Sequence, residues 1–384
     1  MPHRRKRLLL PVLKKRLSFF PIVAIQGARQ IGKSFLVREL LKESFPSLVY
    51  ESFDDQTTRT LAEESPRTFL TERVSKSPLV IDEAQKVPAI FDALKFNVDQ
   101  KRVPGRFVIL GSTEFSRLSK IRESLTGRMG KIRMYPLTYE ETVGLGTPQA
   151  SGRSQAGLIK HLKYGGLPGI CFSRDEENRS AFYRDWIELT CYRDLQQFKG
   201  LKLDGELAIK ILSLCAVLEE PNPSEIAKAL KRIDARKVRT HLNALSELFV
   251  LQKLNPHPSG KGKPIFLPFD CGLAHHLGAP RTRLLQIFLM NERLVQAVID
   301  GAKKTRLYYY RSLRKKIIHL VEESDDGSIS AFQFIDHEAI KKTDAELMKA
   351  FLAKNPKAQG TICAPILKPV HLNSTRFIPW EQSF

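Results

Sequence analysis

Residues Gly27-Ala28-Arg29-Gln30-Ile31-Gly32-Lys33-Ser34 read GARQIGKS. This GxxxxGKS stretch lies between an apolar, β-prone run, Pro21 to Gln26 (PIVAIQ), and a run with apolar residues at helical spacing, Phe35 to Lys42 (FLVRELLK). A strand, a glycine-containing loop and a helix in that order predict a P-loop in an α/β fold. In such a loop the backbone N–H groups of all eight residues surround a polyphosphate, and Gly27 and Gly32 supply conformations and a close approach that a Cβ would hinder. The helix that follows presents its positive N-terminus to the same phosphates. Lys33 is placed to reach the β and γ oxygens, and the Ser34 hydroxyl to ligate Mg²⁺. The ligand expected from these residues is ATP with Mg²⁺.

A P-loop needs a second strand ending in an acid, and Pro78-Leu79-Val80-Ile81-Asp82-Glu83 supplies it. Four apolar residues in a row suit a parallel strand buried on both faces. Asp82 is the expected second metal residue and Glu83 the group that polarises an attacking water, which makes hydrolysis the expected reaction. Arg106 to Thr113 (RFVILGST) reads as a third strand, lying between these two and carrying Ser112 or Thr113 to the γ-phosphate. Then come Ser124-Leu125-Thr126-Gly127-Arg128 and a last strand, Lys131 to Tyr135. Arg128 is a candidate to stabilise the transferring phosphate, in cis or across a subunit boundary of a homo-oligomer; a surface arginine is its plainer reading.

The chain has 384 residues, more than one ordinary core accommodates, so several domains are expected. With 42% hydrophobic and 27% charged residues it reads as globular, and no apolar run approaches the roughly 20 residues of a membrane span. The N-terminal MPHRRKRLLLPVLKKRL is read as a basic leading helix, since its apolar stretch is broken by Pro11 and followed by Lys14, Lys15 and Arg16. Five scattered cysteines (Cys171, Cys191, Cys215, Cys271, Cys363), without metal-ligand spacing, fit a reducing cytoplasm. The net charge of +21 points to a polyanionic partner such as DNA, as a field effect without base specificity.

GARQIGKS, LVIDEAQK, ILGSTEF and SLTGRMGKIRMYPLTYEE resemble the motifs of prokaryotic AAA+ ATP-binding proteins related to the STAND switch ATPases. That resemblance implies an AAA domain, a winged helix and a C-terminal restriction-endonuclease-like region, and gives Ser112 or Thr113 the sensor-one position that orients water, Ser112 being the one taken as catalytic. It is specific over the first 140 residues and looser afterwards. The implied division is 1–145 as the AAA+ P-loop ATPase domain, 155–204 as a helical lid, 205–280 as a winged helix-turn-helix and 285–384 as a degenerate nuclease-like α/β domain. Gly144 to Gly157, rich in Gly, Ser, Pro and Thr, reads as the linker after the first. Tyr164-Gly165-Gly166-Leu167-Pro168-Gly169 follows a family motif in which an acid stands where this chain has Gly169. Glu176 to Phe198 reads as one amphipathic helix, its Arg193-Asp194 more readily a packing ion pair than catalytic.

From Leu207 the pattern is three helices and a hairpin. Leu207 to Leu218 is the first helix. The second is capped by Asn222 and opened by Pro223, and the third runs from Asp234 to about Leu248. Val250 to Leu254 and Pro264 to Phe269 form the hairpin. In a winged helix Arg236, Lys237, Arg239 and Asn243 would face DNA, with Lys261 and Lys263 on the backbone; the alternative is a packing module whose basic face is merely solvated. His241 has no role of its own. In the C-terminal third, strands at Leu307 to Tyr310, Lys316 to Val321, Ile329 to Ile335 and Gly360 to Ala364, with a helix at Asp344 to Ala353, fit the nuclease-like outline. Where relatives with an intact site carry metal-binding acids, this chain has Ile317, His319, Gln333 and Ile335, unless a slipped register brings in Asp336 or Glu338. A metal-dependent nuclease is therefore the least favoured reading. The preferred one is an ATPase that switches conformation, and the alternative a DNA-binding regulator for which ATP is a conformational ligand.

Overall fold

The structure is a computed structural model and describes residues 5–74, 78–115, 125–143, 155–173, 175–198, 200–301, 305–372 and 375–382. Ser124 and most of the 144–157 linker lie outside these residues. Two compact units divide the chain: Met1–Tyr135 with Glu247–Phe249, and Pro136–Ser246 with Val250–Phe384.

The first unit is built on five parallel strands, β1 (Ile22–Gln26), β2 (Val49–Ser52), β3 (Leu79–Asp82), β4 (Phe107–Gly111) and β5 (Met129–Arg133), in the order β2-β3-β4-β1-β5. β1, β3 and β4 are buried throughout, which is why each reads as an unbroken apolar run rather than an alternation. As expected, β4 separates the P-loop strand from the acidic strand. Parallel pairing sets the carboxyl ends of β1, β3 and β4 side by side, with Ile22 opposite Phe107 and Leu79 opposite the same residue. That end of an open α/β sheet is where ligands bind. The leading helix, α1 (Leu9–Leu17), buries Leu9, Leu13 and Leu17 and leaves its lysines out. The P-loop helix begins at Lys33–Phe35 and continues as a wider-wound turn over Leu36–Leu41.

The second unit contains eight strands, β6 (Leu251–Pro256), β7 (Ile265–Pro268), β8 (Thr305–Arg311), β9 (Ile317–Ser324), β10 (Ile329–Phe334), β11 (Ala358–Ala364), β12 (Val370–Leu372) and β13 (Thr375–Pro379). Their order is β12-β13-β11-β10-β9-β8-β6-β7. The segments 155–204 and 285–384 lie in this unit, as does 205–280 apart from Glu247–Phe249. The β6–β7 hairpin extends the C-terminal sheet, because Asn255 and Pro256 pair with Tyr308 and Tyr309 of β8. The 20-residue helix Arg281–Asp300 then buries Leu285, Ile287, Phe288 and Leu289 in the core beneath that sheet. The helix expected over Glu176 to Phe198 is regular only over Glu176–Glu188, followed by a wider turn at Leu189–Arg193 and a tighter one at Asp194–Gln197. Among the described residues no helix is long and apolar enough to cross a membrane.

Candidate functional site

The P-loop leaves the carboxyl end of β1 with two residues in left-handed conformations, Gln30 (φ 63°) and Gly32 (φ 91°). Gly27 serves a different purpose. A Cβ there would lie 2.5 Å from the carbonyl oxygen of Met134 and against the Ile31 side chain, so it is close approach that requires glycine. The Gly27 N–H donates to the Gly111 carbonyl (3.3 Å), tying the loop to the end of β4. Lys33 is buried and its Nζ donates to the carbonyls of Gly27 (2.9 Å) and Ala28 (2.8 Å), which keeps the ammonium inside the loop. A further cation supports the loop from behind. Buried Arg7 donates to the Ile31 carbonyl (3.1 Å) and the Tyr135 carbonyl (2.9 Å).

Asp82 joins the strands at this end of the sheet. The Ser34 hydroxyl donates to its Oδ2 at 2.7 Å, the Glu83 N–H donates to its Oδ1 at 2.9 Å, and the Tyr50 hydroxyl donates to Oδ2 as well. Burial, and then the bond to the carboxylate, raise the Tyr50 phenol well above its ordinary range, so it stays a donor. The Arg38 guanidinium lies 5.0 Å from the centroid of its ring. Glu83 is in a left-handed conformation (φ 53°), and its Oε2 accepts from the Ser112 hydroxyl (3.0 Å) and the Gln85 amide. Gln85 also donates to Ser112 Oγ at 3.3 Å. Of the two residues expected beside the phosphate, Ser112 is the one joined to Glu83, while the Thr113 carbonyl accepts from Gln26 (2.7 Å). Ser34, Asp82 and Glu83 offer only hard oxygen donors, which suits Mg²⁺.

Arg128 is not brought to this site. Its carbonyl accepts from the Ile22 N–H at the amino end of β1, and its Nε pairs with Asp99 at 2.6 Å. The full length of β1, about 16 Å at 3.3 Å per residue, separates it from the P-loop. β5 runs parallel to β1 and Arg128 precedes it, so Arg128 stands at the amino end of these strands, away from the P-loop.

Residues 20–143 match the family described as an AAA domain. The first unit thus contains an α/β domain that is P-loop ATPase-like, while residues 155–283 match a domain of unknown function. Similar curated proteins are themselves uncharacterised. One from Mycobacterium tuberculosis is 28% identical over 272 residues, covering 69% of this chain and 58% of its own length. One from Methanocaldococcus jannaschii is 23% identical over 252 residues, covering 61% and 56%. The chain thus spans little more than half the length of these relatives. Among solved structures, the Walker-type ATPase of Pyrococcus abyssi aligns at a TM-score of 0.39 and 15% identity, over 70% of this chain and 94% of that one. The STAND protein with a tetratricopeptide repeat sensor from Pyrococcus horikoshii aligns at 0.31 and 15% identity, over 77% and 47%.

In the second unit, the helix Ala235–Glu247 buries Val238, His241, Leu242, Ala244 and Leu245 and leaves Arg236, Lys237, Arg239 and Asn243 exposed on its other face. His241 is a structural residue: its Nε2 accepts from the Asp204 N–H (2.9 Å) and its Nδ1 lies 2.8 Å from the Lys237 carbonyl. Lys261 and Lys263 are exposed, yet their loop is held to β8. The Lys261 N–H donates to Arg311, the Tyr309 hydroxyl to the Lys263 carbonyl (2.7 Å), and Lys263 Nζ to the Ser224 hydroxyl (2.8 Å). The four positions compared with nuclease acids hold no carboxylate. Ile317 and Ile335 are buried, and His319 Nδ1 accepts from the Phe334 N–H (3.1 Å), its pKa pushed down to about 3 by burial and then by Arg283. Asp336 pairs with Arg281 (3.3 Å), and Glu338 is exposed. No group of three His, Cys, Asp or Glu able to hold a metal occurs among the described residues. The five cysteines are buried and not disulfide-bonded, and burial followed by Asp194 pushes the Cys191 thiol up to about 12.

Sequence reading missed Tyr50, Arg7 and Gln85 as parts of the site. Tyr50 lies on β2, a four-residue edge strand whose half-buried residues leave little pattern to detect. Arg7 comes from a basic run in which nothing distinguishes one arginine from the next.

Proposed function

We propose that the chain binds ATP with Mg²⁺ in the Gly27–Ser34 loop and hydrolyses it to ADP and phosphate, using the cycle as a conformational switch. The observation that carries this reading is the set of bonds centred on Asp82 and Glu83. One carboxylate joins the P-loop hydroxyl of Ser34, and the next residue presents a second carboxylate oriented by Ser112. Mg²⁺, when bound, supplies charge neutralisation for the phosphates. The protein's part is to hold it through Ser34 and Asp82, to surround the phosphates with the loop N–H groups and Lys33, and to receive the proton of an attacking water on Glu83. Ser112 keeps the Glu83 carboxylate aimed.

The DNA-binding regulator is the second reading, favoured by the four exposed polar residues of Ala235–Glu247 and the net charge of +21. In it the helix reads the major groove and the Lys261 and Lys263 loop meets phosphates. ATP turnover with and without DNA separates the two. Under the ATPase reading, Glu83→Gln abolishes turnover and retains nucleotide binding. Absence of turnover in the unaltered chain under every condition, with nucleotide still bound, leaves the regulator. With Arg128 at the amino end of β1, this reading gives it a role toward the phosphate only across a boundary to a second copy of the chain, the surface arginine being the alternative.

A further inference from the structure

The second unit contains a cleft of about 260 Å³ that the ATPase reading does not use. Three helices line it. Glu176, Arg179 and Ser180 stand on one face of Glu176–Glu188, His275 and His276 on Cys271–His276, and Lys163 near the end of Gln155–Tyr164. Arg179 is the central feature. Its side chain is buried, 5% exposed, its carbon Cζ lies 4.0 Å from the centroid of the Tyr164 ring, and Nη1 donates to the Ser173 carbonyl at 2.7 Å. That is the one hydrogen bond its guanidinium makes among the described residues, so the rest of its five N–H donors have no acceptor among them. Burying an arginine without pairing its charge is costly, and a charge fixed at a cleft wall by a ring and a carbonyl is pre-organised for an anion. The one carboxylate among these six residues, Glu176, pairs with Lys163 at 3.1 Å and also feels the charge of Arg179, so one carboxylate faces two cations and the cleft keeps a positive excess.

We infer that this cleft binds a phosphate-type oxyanion, free or as the phosphoryl group of a small molecule, with Arg179 as its principal donor and Lys163, Ser180 and the two histidines around it. The field there is already positive. The pKa of His275 is lowered by burial and then by Lys163 and Arg179, against Glu176; that of His276 is lowered by burial and then by Arg184. A bound anion reverses the sign and raises both. The inference is independent of the P-loop.

The test uses the full chain carrying Lys33→Ala, which silences the P-loop. Inorganic phosphate and glycerol phosphate are titrated at constant ionic strength against a chloride control, with the histidine ring resonances and calorimetry as readouts. Saturable shifts of the His275 and His276 rings with raised titration midpoints are expected, weakened at least tenfold by Arg179→Gln. Tighter binding of glycerol phosphate than of phosphate identifies a phosphorylated small molecule, and the reverse free phosphate. If Arg179→Gln does not fold, Lys163→Gln, whose ammonium is partly exposed, decides by the same weakening. Absence of any saturable shift below about 10 mM, beyond which affinity is negligible, overturns the inference. So does an equal shift in the variants.

Discussion

Alanine at Gly27 tests whether the P-loop depends on close approach there. The new Cβ would stand 2.5 Å from the Met134 carbonyl oxygen, and Ile31 blocks its other side. Neither neighbour has room to give. Met134 is fixed by its N–H bond to Gln26 (2.8 Å), Gly27 by its bond to Gly111, and the Ile31 side chain is fully buried. Overpacking of this kind costs about 1–3 kcal/mol. The displaced segment is the phosphate loop itself, so the loss should appear in ATP affinity as well, at roughly tenfold per 1.4 kcal/mol. The assay is titration with a labelled nucleotide together with thermal melting of the full chain. Gly169→Ala is the control: its Cβ would meet the Phe182 ring at 3.6 Å and 3.8 Å, ordinary contact, so affinity and melting should stay within about 0.5 kcal/mol of the parent. A Gly27→Ala chain that binds ATP and melts like Gly169→Ala would refute the steric argument.

Three further outcomes are expected. Lys33→Ala should remove ATP affinity, since the loop's own ammonium is lost; a labelled nucleotide that binds with unchanged affinity contradicts it. Tyr50→Phe deletes one donor to Asp82 while leaving the Ser34 bond, so the Mg²⁺ needed for half-maximal turnover should rise about threefold to tenfold, as for a hydrogen bond of roughly 1 kcal/mol, with Mg²⁺-free nucleotide binding unaltered. An unchanged Mg²⁺ dependence removes Tyr50 from the site. Burial pushes the pKa of His161 down to about 4 from 6.5, so the unfolded chain takes up a proton first as pH falls. Its contribution to stability is therefore present above about pH 6.5 and lost toward pH 4, and His161→Gln should flatten the melting temperature over that window; a slope identical to the parent's counts against it.

Much of the first unit was legible because parallel strands buried on both faces are written as continuous apolar runs, and their chemical residues follow directly at the carboxyl ends. PIVAIQ, LVID and FVILG each led to the loop residues that now stand together. β2 carried no such signal. As a short, half-buried edge strand it escaped notice, and Tyr50 with it. Arg128 shows a different limit: the sequence puts it just before the last strand, but that this strand runs parallel to β1, which sets Arg128 at the far end from the P-loop, depends on pairing that no local pattern encodes.

The sequence by itself determined the P-loop, the acid pair Asp82-Glu83 and the α/β character of the first unit, because each rests on contacts within a few residues and on the strict geometry of backbone N–H groups around phosphate. Only tertiary structure decided that Ser112 orients Glu83, that Tyr50 and Ser34 share one oxygen of Asp82, and that Arg7 braces the loop from behind. It also decided that the β6–β7 hairpin joins the C-terminal sheet. Those relations depend on strand order and register between segments tens of residues apart, which hydrogen-bond pairing and core packing fix together and no local stretch of chain specifies alone.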